Sequence, residues 1–349
     1  MNIDLLKRLC ETPGVPGREG RVRELIRKEI DGLFDEVTED PMGSLICRRA
    51  PRGGAGEAKR VLLLCHMDEI GFLVSHIDDK GFIRVNPVGG FDTRNLFSRR
   101  VLVCTKNGDL PGVMNPGGRP VHIASEEDKK KVPEIKEFFI DLGMPAEKVK
   151  AQVRIGDYVV WHEPFMEMGD KVVSKALDNR IACWLGVEVV RALEKAGAKH
   201  NCELWVAFTV QEEVGLRGAI TSSYGVDPHI AIGIDVSLAC DTPGVPTEEA
   251  VNRQGEGVGL HLMDASFIAD LALIEDLEAV AVKHNITHQR TILAKGGQDG
   301  AAGQRMRSGA RAAGVVVGTR YIHTVTEMIH KSDLQAALDL LARWVPTVA

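Results

Sequence analysis

The sequence predicts an α/β protein: a mostly parallel-core sheet flanked by helices, with a small β-rich domain inserted into it. Three observations predict this. Several apolar runs, LWVAFTV at 204–210, RVLLLC at 60–65 and HIAIGIDV at 229–236, lack the alternation of a half-buried strand, so they read as strands buried on both faces. Helical stretches with one apolar face separate them. Between about residues 70 and 165 the texture changes to short β-like pieces punctuated by glycine, as in GFLVSHID, GFIRVNPVGG and RRVLVCTKNG. Exposed loops accept such insertions because the two chain ends lie close together there. The expected division is a discontinuous domain of residues 1–69 and 166–349, with residues 70–165 inserted.

Composition excludes several classes. The 349 residues are 44% hydrophobic and 26% charged, an ordinary globular balance. A net charge of −6 argues against a nucleic-acid partner held through its phosphates. No apolar run approaches the roughly 20 residues that span a bilayer, so no membrane partner is expected. MNIDLLKRLCETPG has no apolar signal-peptide core. The seven cysteines form no CxxC pair, and most lie in apolar runs. They read as buried thiols in a reducing compartment, and a cytoplasmic protein is expected.

In chain order, residues 3–10 and 18–31 read as helices. In the second, Val22, Leu25, Ile26 and Ile30 share a face. TPGVPG between them is a turn cluster. Short strands follow at 35–39 and 44–49, then the exposed loop PRGGAGEAK, then the buried strand 60–65. Within the inserted region only residues 125–143 read as a helix. After it, VVSKALDNRIACWLGVEVVRALEKAG is a strand end running into a helix of about 18 residues. The strand 204–210, a short helix at 215–225 and a strand ending at Asp235 come next. An irregular loop spans 241–257. The rest reads as strand 257–263, helix 266–285, strand 288–295, helix 299–310, strand 312–320 and a closing amphipathic helix at 332–345.

Chemistry-bearing residues gather at the ends of these strands. His66 and Asp68 follow the strand at 60–65; Glu212 and Glu213 follow the strand at 204–210. A histidine after an apolar strand is often a hydrogen-bonded structural residue, and a Glu-Glu pair is often a solvated turn. The His-x-Asp spacing points further, because a metal-bound imidazole usually passes its other N–H to a carboxylate such as Asp68. Adjacent side chains on extended backbone diverge, so the two glutamates are expected to do different jobs. Asp178, near a helix start, reads either as an N-cap or as a metal-bridging carboxylate. Asp235 closes an apolar strand, where a lone carboxylate is costly unless paired or metal-bound. His323 follows the strand at 312–320. Parallel strands with right-handed crossovers bring such ends to one sheet edge. Imidazole and carboxylate are ligands for zinc, cobalt and manganese, and two ions about 3.5–4 Å apart share a bridging carboxylate and a water. Five of the six strand-end residues suffice for that, leaving one glutamate as general base.

Six segments, CHMDEIGF (65–72), ALDNR (176–180), VQEEVGLRGA (210–219), DVSLACDTPG (235–244), GGQDG (296–300) and TRYIHTVTEM (319–328), resemble in order and spacing the motifs of the tetrahedral aminopeptidases. These are dinuclear metallopeptidases that include glutamyl, leucyl and deblocking enzymes and members labelled cellulase or endoglucanase. The resemblance implies His66 and Asp235 on one metal, Glu213 and His323 on a second, Asp178 bridging, Glu212 as general base and Asp68 supporting His66. It implies two divalent ions (zinc or cobalt, with manganese possible), peptide substrates and a cis peptide at Asp178–Asn179. It also implies a PDZ-like inserted dimerisation domain and a dodecamer built from dimers. Gln298 departs from the family's Gly-Gly-Thr-Asp motif. Two other readings compete. A glycoside hydrolase needs only two carboxyl groups about 5–9.5 Å apart and has no use for two histidines. A non-catalytic peptide-binding homologue would be signalled by a lost ligand, and none is lost.

Overall fold

A computed structural model describes residues 1–53 and 58–348. The chain opens with α1 (Ile3–Glu11) and α2 (Gly20–Glu29). The Asn2 side chain caps α1 by accepting the Leu5 N–H at 3.1 Å, satisfying a donor that has no partner within the helix. A hairpin of β1 (Glu36–Glu39) and β2 (Leu45–Arg49) follows, then β3 (Arg60–His66). The loop expected at PRGGAGEAK lies partly, at 54–57, outside the described residues.

After His66 the chain leaves the main sheet and builds a closed six-stranded barrel in the order β4-β5-β8-β7-β6-β9. Its strands are β4 (Gly71–Ile77), β5 (Ile83–Val88), β6 (Arg99–Thr105), β7 (Gly108–Pro116), β8 (Phe138–Asp141) and β9 (Tyr158–Trp161), with the short α3 (Ala146–Gln152) before β9. The barrel encloses its own apolar core of Phe72, Val85, Val103, Ile140 and Trp161 among others. The helix expected at 125–143 is absent. That segment makes isolated 3-10 turns at Asp128–Lys130 and Ile135–Glu137 and then β8. Pro133 cannot donate to a helical ladder, and Phe138 and Ile140 are buried while their neighbours are half-exposed, the two-residue period of a strand.

The chain returns through β10 (Met166–Met168) and β11 (Lys171–Ser174) to α4 (Leu177–Lys195), β12 (Glu203–Thr209), α5 (Arg217–Val226) and β13 (Ile230–Leu238). Then come β14 (Val258–Met263), α6 (Leu271–Lys283), β15 (His288–Ile292), α7 (Gly300–Arg305), β16 (Arg311–Arg320), β17 (Glu327–His330) and α8 (Lys331–Trp344). The sheet is mixed. β12, β3, β13 and β16 pair in parallel at its centre, while β1, β2, β17, β11 and β10 extend it antiparallel on both sides. β14 and β15 branch from β16.

Why the central strands read as unbroken apolar runs is visible in β3. Val61, Leu63 and Cys65 enter one apolar cluster with α1, α2, α4, α6 and α8, while Leu62 and Leu64 enter another with α5 and α7. Leu204, Val206 and Phe208 of β12 join the first cluster and Ala207 the second. Burial on both faces leaves no polar side to alternate with. Parallel pairing then aligns the C-terminal ends: Thr209 stands in register with His66.

Candidate metal centre

β3 carries His66 to its last position, where the ring is 1% exposed. Its Nδ1 lies 3.1 Å from the backbone carbonyl of Asp68. A carbonyl only accepts, so Nδ1 holds the proton and Nε2 is free to face the site. The Asp68 carboxylate stands farther from the ring, at 3.6 Å. Its oxygens are instead engaged with the next strand's turn, each accepting one backbone N–H at 3.1 Å, Oδ1 from Glu212 and Oδ2 from Glu213.

That turn decides where the two glutamates point. Glu212 and Glu213 lie beyond the end of β12, and the segment bends through Gln211 (φ +57°) and Gly215 (φ +122°) into α5. Their divergence comes from this turn and not from the alternation of extended backbone. Glu212 Oε2 lies 3.8 Å from His66 Nε2, and Glu213 Oε2 lies 3.3 Å from His323 Nε2. Asp235 sits within β13, which runs on to Leu238, and its Oδ1 is 4.0 Å from His66 Nε2. His323 follows β16 on a left-handed residue, φ +63°. Asp178 lies between the imidazoles at the start of α4, with Oδ1 3.4 Å from His66 Nε2 and Oδ2 3.4 Å from His323 Nε2. The peptide after it, Asp178–Asn179, is cis.

The donors form two groups, His66 with Glu212 and Asp235, and Asp178 with Glu213 and His323, the ligand atoms of each lying within 4.8 Å of one another. Two ligands about 2.0–2.1 Å from one tetrahedral ion stand roughly 3.3 Å apart, so separations of 3.3–4.0 Å suit a shared cation. Charge suits it too. Burial works against the charged ring of His66, but Glu212, Asp178, Asp68 and Asp235 around it raise its pKa well above the usual value. Burial opposes the charge on His323 as well, yet Asp178 and Glu213 push it up to about 12. Burial raises the carboxyls of Glu212, Glu213 and Asp235, whereas Asp178, though buried, is held below the usual range by the two histidines. Three of the four carboxyls are thus costly to ionise where they stand, a cost that a nearby cation would offset. Glu213 Oε1 is buried with no hydrogen-bond partner, as an oxygen meant for a cation would be. The residues fit a pair of divalent ions.

The six residues line a cavity of about 600 Å³ that continues past His261, Asp264, Leu293 and Gln298. Further groups surround it, of which Asp299 and Gln298 lie in the GGQDG segment already singled out in the sequence, while Glu19 and Glu327 were given no role there. Asp299 is 1% exposed and accepts the Thr209 hydroxyl, and burial lifts it to about 6. Gln298 is also buried, its Oε1 accepting the Gly300 N–H at 2.7 Å. Glu19 accepts the backbone N–H of Gln211, next to Glu212 and Glu213, and Glu327 accepts the backbone N–H groups of Asp178 and His323. Glu327 falls inside the TRYIHTVTEM segment, and that was its one signal.

Comparison with known proteins places the whole chain among aminopeptidases. Residues 43–340 match the model of the M42 glutamyl aminopeptidase family. The Escherichia coli (strain K12) putative aminopeptidase FrvX is 34% identical over 352 residues, covering 100% of this chain and 96% of its own. The TET aminopeptidase structure from Thaumarchaeota archaeon SCGC AB-539-E09 superposes with a TM-score of 0.94 at 32% identity, covering 99% and 96% of the two chains. The Pyrococcus horikoshii TET1 peptidase, which can assemble into a tetrahedron or a large octahedral shell, superposes with a TM-score of 0.86 at 30% identity over 99% of each chain.

Proposed function

The chain belongs to the M42 glutamyl aminopeptidase family and is an aminopeptidase, and on that premise we propose that its cavity releases the N-terminal residue of peptides with two divalent ions and Glu212 as general base. The observation that carries this reading is Asp178, which turns one carboxylate oxygen toward each imidazole. In this reading His66 and Asp235 would hold one ion and Glu213 and His323 the other, with Asp178 shared between them. Divalent ions held there would supply an acidified water and a Lewis acid for the scissile carbonyl. Glu212 takes the proton of the attacking water and returns it to the leaving amine. Burial raises its pKa, which suits a group that must pick up a proton and give it away. Asp68 acts on this chemistry by fixing both glutamates through their backbone N–H groups. The substrate's free α-amino group, a cation, is attracted to the same carboxylates, and this confines cleavage to the first residue.

The ligand set is compatible with zinc, cobalt and manganese, with zinc or cobalt preferred for the imidazole share. The domain division at 1–69 with 166–349 and 70–165 is read as a catalytic unit carrying a PDZ-like dimerisation barrel. Dimers would join into a dodecamer, a reading supported by the assembly of the Pyrococcus horikoshii TET1 peptidase. The seven free cysteines favour the reducing cytoplasm. Mass spectrometry of a peptide and its N-acetylated twin after incubation with the enzyme tests the activity. Stepwise loss of N-terminal residues from the free peptide alone is expected. Internal fragments, or processing of the blocked twin, would contradict it.

A further inference from the structure

We propose that Glu327 is a positioning residue for the second metal position, acting through the backbone of two of its ligands at once. Glu327 is 2% exposed at the start of β17, in register with Ser174 of β11. Its two oxygens are used separately. Oε2 accepts the Asp178 N–H at 2.9 Å, and Oε1 accepts the His323 N–H at 2.8 Å. These ligands come from remote parts of the chain and from different kinds of local structure. Asp178 lies at the opening of α4, where N–H groups have no helical partner, and its own φ/ψ is non-helical. His323 lies in a loop whose Tyr321 and His323 are both left-handed, at φ +60° and +63°. Neither backbone is fixed by a regular ladder at that point, so the Glu327 carboxylate is what ties them together.

The placement is costly, which sharpens the inference. A further carboxylate is buried beside Asp178 and Glu213, in a region already crowded with negative charge. Two charge-assisted hydrogen bonds to backbone offset that burial. The same device recurs opposite it, where Asp68 accepts the N–H groups of Glu212 and Glu213. Two buried carboxylates thus hold the backbones of four of the six site residues. Groups that orient ligands from behind are worth about 10–100-fold in metal affinity.

The inference rests on the proposed metal centre, and a cobalt titration of chelator-stripped protein separates the two. Wild type is expected to take up two cobalt ions per chain. E327Q keeps one acceptor oxygen but turns an amide N–H₂ toward the other backbone donor. It is expected to fill the His66–Asp235 position near the wild-type cobalt concentration and to need about 10–100-fold more for the second. Asp333 provides the control: it is equally buried and accepts the Gly255 and Gly257 N–H groups at 2.8 and 3.0 Å, away from the site. D333N should lower the Tm and leave both cobalt affinities unchanged. Wild-type affinity at both positions of E327Q, or equal weakening of the two, overturns the role of Glu327. No cobalt uptake by wild type overturns the metal centre itself. If E327Q does not fold, E327D keeps the charge one methylene short of its partners, and a second-site affinity equal to wild type overturns the proposal.

Discussion

At the residue scale, the site turns on which of two adjacent glutamates moves the proton. Both stand half-buried against the imidazoles, and Glu212 groups by distance with His66 and Asp235, so a ligand role and a base role both place it there. They separate on substitution. E212Q keeps an oxygen and the shape of the side chain but cannot accept the water's proton. It should retain both metals by elemental analysis and lose about 10²–10⁴-fold in kcat. Loss of one metal equivalent would make Glu212 a ligand, and unchanged kcat would remove it from the chemistry. His66, Asp178, Glu212, Glu213, Asp235 and His323 were all singled out in the sequence, because each stands in or beside an element whose apolar pattern is plain. The roles of Glu327 and of Asp299, although both fall in segments quoted for the resemblance, were not. Their partners are backbone N–H groups and a hydroxyl brought together only by the fold, and hydrogen bonds to backbone leave no trace in residue spacing.

At the element scale, the Glu212–Glu213 turn after β12 is held from outside by the segment between the N-terminal helices. Glu19 precedes α2, is 3% exposed, and its Oε1 accepts the Gly17 N–H at 2.7 Å and the Gln211 N–H at 3.1 Å. Burial, aided by the charge of Asp68, raises its pKa to about 7 from 4.5. The folded protein therefore holds this proton more tightly than the unfolded chain. The resulting stabilisation is complete below about pH 4.5 and is lost as the pH rises through 7, by at most about 3 kcal/mol. Both hydrogen bonds go to one oxygen, so E19Q can keep them while removing the titration. The Tm of E19Q minus that of wild type should climb between pH 5 and pH 8, and a constant difference would contradict this account. Elements with a strong period, such as α2, β3, β12 and α8, were readable in advance. The segment at 125–143 was not, because its charged start mimics a helix while Pro133 and the alternation of Phe138 and Ile140 commit it to a turn and a strand. β17 went unread because four residues carry too little pattern to stand out.

At the scale of the whole molecule, strand order gathers these parts, and the buried carboxylates Asp68, Glu327 and Glu19 then hold them. The parallel pairing of β12, β3 and β13 sets His66, the Glu212–Glu213 turn and Asp235 beside one another, and β16 and α4 bring His323 and Asp178 to the same place. The barrel is built from one continuous stretch with its own core, and the loop after β5 reaches the cavity at Gly90, against His323. A glycoside hydrolase would use a carboxyl pair alone; here each carboxylate faces an imidazole, an arrangement that serves cations. The measurement that tests this most directly is release of p-nitroaniline from aminoacyl p-nitroanilides by chelator-stripped protein, before and after addition of cobalt, zinc or manganese. Activity that is absent after stripping, returns with metal and is confined to substrates with a free α-amino group is the predicted result. Full activity in the stripped protein, or equal hydrolysis of N-blocked substrates, would contradict it.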